Sequence, residues 1–224
     1  MGKYLKRWGL TLQRLDKRAV EQDAEAVRLW YEETWSAIRA RAKADNGEVL
    51  FGERSAAART RSPTAPVGEQ GRTPVIRRTG NWFSVNAMSA ISTKGRTHVM
   101  VFTESFDAKA MCRFLARLVR HYDRKAHLIV DCHSATDRRL SGPGSPTTPT
   151  RSSCIPSYSP ELNPDELVNS DLKRSLPHTH RAKNQAELAA ETRRFFKRRQ
   201  RQPRIVGGLF GGRHVRYVLD EQTP

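Results

Sequence analysis

Asp131 closes the apolar run His127-Leu-Ile-Val130, and a carboxylate at the carboxyl end of a buried strand is where sheet enzymes set their chemistry. Downstream, Tyr158-Ser-Pro-Glu-Leu-Asn-Pro-Asp-Glu166 is a proline-punctuated turn that delivers two acids onto a helix start. Taken alone, Asp165 and Glu166 complement the positive end of the helix dipole, with Asp165 as a cap. A third feature is basic. Arg193, Arg194, Lys197, Arg198, Arg199, Arg201 and Arg204 fall within twelve residues. Positions 193, 197, 201 and 204 share one helical face if the helix continues that far, which would make a surface for phosphates. Cys132 follows Asp131 but no base is positioned for it, and His133 reads as a bystander.

These residues need a scaffold, and the hydrophobic pattern supplies one. Residues 3–10 read as the end of a short basic helix stopped at Gly9. Val27, Trp30, Tyr31, Thr34 and Ile38 recur at helical spacing within 24–43, so both Trp30 and Trp35 are read as packing residues. Asn46-Gly47 breaks the chain before a short strand, Glu48–Phe51. Residues 54–73 are rich in Ala, Arg, Ser, Pro and Gly without a period and read as a loop or disorder. Trp82–Ile91 and His98–Phe102 form a hairpin about Lys94-Gly95. Asp107 caps a helix that turns Met111, Phe114, Leu115, Leu118 and Val119 inward. Helices follow over Pro164–Leu172 and Asn184–Gln200. The order is that of a mixed α/β domain.

Composition narrows the partner. Forty Lys and Arg against 23 Asp and Glu leave a net charge of +17, which nucleic acid would offset through phosphate contacts and counterion release. There is no 18-residue apolar run for a membrane span and no apolar segment after Met1 for a signal peptide. Three cysteines (Cys112, Cys132 and Cys154) make no disulfide framework and show no metal spacing, which points to a reducing cytosol.

The chain resembles the bacterial insertion-sequence transposases of the Tc/mariner superfamily. The matching stretches are LKRWGLT (5–11), the Trp82–Phe102 hairpin, LIVD (128–131), YSPELNPDELVNSDLKR (158–174) and RRFFKRRQRQP (193–203). The resemblance implies a ribonuclease-H-like mixed sheet with flanking helices, carrying a DDE carboxylate triad. It also implies metal-dependent DNA cleavage and strand transfer on Mg²⁺, or Mn²⁺ in its place. The second acid maps onto Asp131 and the third onto Glu166, with thirty-four residues between them. The first maps onto Glu53, in Gly52-Glu53-Arg54-Ser55 where the family reads Gly-Asp-Glu-Thr. DNA contacts are expected from Lys173, Arg174, Arg193, Arg194, Lys197, Arg198, Arg199 and Arg201. Paired protomers on double-stranded DNA and a cytoplasmic, nucleoid-associated location are further implications. The implied division is a remnant of a helix-turn-helix or winged-helix DNA reader (1–22), a connecting helix (23–46), the catalytic domain (47–204) and a C-terminal tail (205–224).

Two segments depart from the family. Leu140–Cys154, LSGPGSPTTPTRSSC, forms neither helix nor strand comfortably. A permitted back-translation, read in another frame, encodes an acidic amphipathic helix entering a strand. Residues 134–155 are therefore expected to be out of the ancestral frame, and 54–72 to be a second such patch. On that reading a central strand is lost, along with the fixed separation of Asp131 and Glu166. The alternative function is then a catalytically inactive remnant that only binds DNA through its basic C-terminal helix.

Overall fold

A computed structural model describes residues 4, 7–9, 18–58, 83–122, 124–131, 150–179 and 182–220. Gly9 sits in a left-handed turn (φ 67°), as its stop position requires. Helix α1 (Ala24–Leu29) is capped by the Asp23 carboxylate, runs into a π-helical turn at Trp30–Thr34, and continues as α2 (Trp35–Ala44). The widened turn brings positions five apart toward one face, and Trp30 and Trp35 are both buried. Both lie near Tyr217 with rings almost perpendicular, at 6.5 and 5.5 Å between centroids, so both tryptophans are packing residues.

Five strands follow: β1 (Glu48–Ala58), β2 (Ser84–Ile91), β3 (Thr97–Phe102), β4 (Ala126–Asp131) and β5 (Thr150–Ile155). They form one sheet in the order β3-β2-β1-β4-β5. The hairpin strands pair antiparallel, whereas β1, β4 and β5 run parallel. The hairpin turn holds Gly95 at φ 76°, and any Cβ there would come within 2.0 Å of the Pro203 carbonyl oxygen. The mixed sheet with flanking helices is the expected ribonuclease-H-like architecture.

Alternation along the strands divides the core in two. On one face α3 (Ala108–His121), capped by Asp107, buries Met111, Phe114 and Leu118 against Leu50, Met88, Met100 and Leu128. On the other face Phe51, Val85, Ala87 and Ile129 meet α4 (Pro164–Thr179), α5 (Gln185–Gln200) and α6 (Pro203–Leu209). Residues assigned from sequence to a tail join this second cluster: Val206, Phe210 and Val218 are buried in it. The Tyr217 hydroxyl donates to the Leu162 carbonyl at 2.9 Å.

Three expectations need correction. Residues 54–58 are strand, not loop: β1 continues through Ala58 because β2 pairs with it as far as Ala58↔Ser84. Thr150–Cys154 is also strand. Its backbone is paired in parallel with β4 from Ala126↔Thr150 to Asp131↔Ile155, and no central strand is lost. Ladder bonds do not depend on side-chain type, and at a sheet edge Arg151, Ser152 and Ser153 stay half-buried while Thr150 and Ile155 turn inward. Cys154 is disulfide-bonded, against the expectation of reduced thiols throughout. Residues 59–82 and 132–149, including Cys132 and His133, lie outside the described residues.

Candidate active site

The register of the sheet decides which acids meet. Gly52 pairs with Val130 in parallel register, so the next level brings Glu53 beside Asp131. Neighbours at one level of a parallel pair project to the same face. Phe51 and Ile129, two residues earlier, point into the core cluster beneath α4. Glu53 and Asp131 therefore face the start of α4, which carries Asp165 and Glu166 in its first turn. All three sequence-predicted acids are half-buried at the carboxyl end of the sheet.

The turn before α4 holds this arrangement. Tyr158 takes a left-handed backbone (φ 59°) and Pro160–Leu162 form a 3-10 turn. Gln22 donates to Ser159 Oγ at 2.9 Å and to Glu161 Oε1, joining the chain before α1 to this turn. Asn163 Nδ2 donates to Glu53 Oε2 at 2.9 Å and to the Gly52 carbonyl at 3.1 Å. Its Oδ1 accepts from the Asp165 backbone N–H at 3.1 Å. Asn169, one turn along α4, donates to Glu166 Oε2 at 2.8 Å. Each triad carboxylate on β1 and α4 is thus oriented by an asparagine.

Asp165 is the residue that sequence reasoning misplaced. It does not cap the helix. Its side chain is fully buried, with Oδ2 accepting from Ser89 Oγ at 2.8 Å. Ser89 is also the cross-strand partner of Glu53. Burial pushes the Asp165 carboxyl up to about 8 and the Glu166 charge adds to it, while bonds from Ser89 and the Glu53 backbone oppose the shift. The motif gave the position of Asp165, but its burial depends on β2, which lies far away in sequence.

Glu53 shows what the crowding does. Burial, then the charges of Glu166, Asp165 and Asp131, push its carboxyl up to about 8, with Lys173 pulling the other way. Four carboxyl groups on one sheet end favour a cation, and their hard oxygens suit a magnesium-type ion. Asp165 Oδ1 is buried with no hydrogen-bond partner among the described residues, a further oxygen that such a charge would satisfy. The donor chemistry fits a divalent metal, although no three His, Cys, Asp or Glu among the described residues are gathered as a closed ligand group.

The basic candidates divide into two kinds. Lys173 Nζ lies 3.9 Å from Glu166 Oε1, at the rim of the acid cluster. Arg174, Arg193, Arg194, Lys197, Arg198 and Arg201 are exposed. Arg199 is not a free basic residue: it donates from Nε to Asp171 Oδ2 at 2.7 Å and from Nη1 to Gln202, tying α5 to α4. The expected face 193–197–201–204 is also cut short. Helix α5 ends at Gln200, Arg201 is its C-cap, and Arg204 belongs to α6.

No curated protein matches the chain. Among solved structures, the Mos1 strand transfer complex has a TM-score of 0.59 at 12% identity, over 99% of this chain and 70% of that one. The Mos1 mariner paired end complex with Mn gives 0.57 at 11% identity, over 99% and 71%. The catalytic domain of Mos1 mariner transposase gives 0.51 at 10%, over 92% and 98%. At these identities the likeness is one of fold. Two families match by sequence: winged helix-turn helix over residues 1–34, and DDE superfamily endonuclease over residues 48–189. The second match spans more than half of the sequence and includes Glu53, Asp131, Asp165 and Glu166, so the chain belongs to the DDE superfamily endonucleases.

Proposed function

We propose that the protein is a DNA transposase that cleaves DNA and joins the exposed 3′ end to a target, with Glu53, Asp131 and Glu166 as its metal-holding triad. The observation that carries this reading is the convergence of those acids on one face of the sheet, where their mutual repulsion calls for a cation. Bound Mg²⁺ or Mn²⁺ would stabilise charge on the attacking and leaving oxygens of the phosphodiester. Asn163 and Asn169 fix the Glu53 and Glu166 oxygens in advance. Lys173 stands beside Glu166, where a phosphate of the substrate would meet it. The catalytic unit of this reading runs from Glu48 through the packed segment that ends near Val218, and residues 1–34 belong to the DNA reader. Double-stranded DNA is the substrate, bound by paired protomers.

A second reading, DNA binding without cleavage, is favoured by Glu53 itself. A methylene longer than aspartate, it is engaged by Asn163 and carries a carboxyl raised to about 8. Nicking of supercoiled plasmid in Mg²⁺ or Mn²⁺ separates the two. The transposase reading expects nicking, with Asp131→Asn lowering it at least about 100-fold, the order of loss when a positioned charge-stabilising group is removed. DNA binding without nicking in either metal would leave the second reading standing.

A further inference from the structure

At the outer edge of the sheet a groove of about 450 Å³ opens between β3, α3 and α5. Its floor is Met100 and Phe102, and its walls carry Arg113, Arg117 and Arg120 from α3 and Arg193 from α5, against the single acid Glu104. Arg113 pairs with Glu104, and Arg193 reaches the Val101 carbonyl at 3.5 Å. Arg117 and Arg120 have no ion pair or hydrogen bond among the described residues.

We infer that this groove is a second DNA-binding site, which grips the phosphate backbone of a duplex whose scissile bond lies at the acid cluster. The inference rests on the transposase reading and adds a site to it. Arg113, Arg117 and Arg120 stand at i, i+4 and i+7, one stripe about 10 Å long on α3. A DNA strand carries one phosphate per roughly 3.4 Å of rise, so the stripe meets two or three consecutive phosphates. Exposed guanidiniums along an open groove do not enclose a small anion; they suit a polyanion that continues beyond them. Arg193 makes the groove continuous with the basic surface of α5.

The sheet fixes where that DNA would lead. Ser89 pairs with Glu53 on one side and Val99 on the other, so Val99 lies two strands, about 10 Å, from the triad level. Two antiparallel steps make β3 parallel to β1, and Phe102 lies a further three residues, about 10 Å, toward the same carboxyl end. The Phe102 end of the groove is therefore roughly 15 Å along the sheet from the acids but on the opposite face, so the duplex would reach it by passing around the β3 edge.

Fluorescence anisotropy with a duplex of about 30 base pairs, from about 50 to 200 mM salt, tests the site on the full chain. The Arg117→Ala/Arg120→Ala protein should melt like the parent but bind at least about 10-fold more weakly at the middle of that range. The slope of log K against log salt should fall in magnitude by about 2, since each phosphate contact contributes roughly 0.9. Arg39→Ala removes one charge from an arginine that donates to the Asp220 carbonyl, outside both the DNA reader and the catalytic unit, and should bind like the parent. If the parent binds and the double variant keeps its affinity and slope, the groove is not a DNA site. Displacement of the duplex by millimolar inorganic phosphate at constant ionic strength would also overturn it, in favour of a small-anion site. A parent that ignores duplex at about 50 mM salt would overturn both this inference and the reading beneath it.

Discussion

Two charged regions lie on opposite faces of one sheet, and they are built in opposite ways. The acids converge beneath α4, where Asp165 is fully buried and Asn163 and Asn169 hold the carboxylates of Glu53 and Glu166. The arginines stand along α3 with their heads in water. In the first region like charges face one another at low dielectric, and the protein responds by raising the carboxyl pKa values of Glu53 and Asp165 to about 8. In the second, solvent screens the repulsion. Burying charge makes a site that is costly for the fold and responsive to a cation. Exposing charge makes one that costs the fold little and responds to salt.

The largest effect should follow from breaking the acid side. Asn163→Ala removes donors to Glu53 and Gly52 and an acceptor from Asp165, all within the buried turn. Unfolding in urea should show a loss of about 2–3 kcal/mol. An unchanged midpoint would mean that the turn is held by the chain around it and not by this side chain.

A smaller effect separates buried charge from buried polarity. The Asp165 pKa is raised on folding, so its contribution is fully present below the ordinary carboxylate pKa and is lost as pH rises toward about 8. In chelator, the parent should therefore lose stability between about pH 4 and 8, with Asp165 responsible for about 1–3 kcal/mol of the decline. Asp165→Asn keeps an acceptor for Ser89 and removes the charge, so its decline should be shallower by that amount. Parallel pH profiles for the two proteins would show that Asp165 does not carry the cost.

The smallest effect belongs to the arginine side. Arg117→Ala should change thermal stability by no more than about 0.5 kcal/mol, as expected for an exposed side chain with no ion pair or hydrogen bond among the described residues. A loss as large as that of Asn163→Ala would remove the contrast between the two regions.

Much of this was legible in residue order. The Asp131 strand, the Asp107 cap, the hairpin about Gly95 and the helix start at Pro164 each carry a local signal: an apolar run, a capping side chain, a turn pair, a proline at a tolerated position. Glu166 was assigned as the third acid through the resemblance that the YSPELNPDE motif carries, not through a local signal. Asn163 and Ser89 were missed because their partners are chosen by contacts across the fold: Asn163 meets β1 more than a hundred positions earlier, and Ser89 meets Asp165.

The chain by itself therefore determined which segments turn, which faces are apolar, and that acids would stand at strand and helix ends, because capping, periodicity and turn chemistry act within a few residues. Tertiary structure alone decided that a polar stretch, Thr150–Ile155, becomes a strand by pairing with β4. It decided too that Arg199 binds Asp171 instead of facing outward, and that Asp165 is buried against Ser89. Backbone pairing, ion pairing and desolvation depend on what lies across the fold, and no local pattern of side chains specifies that neighbour.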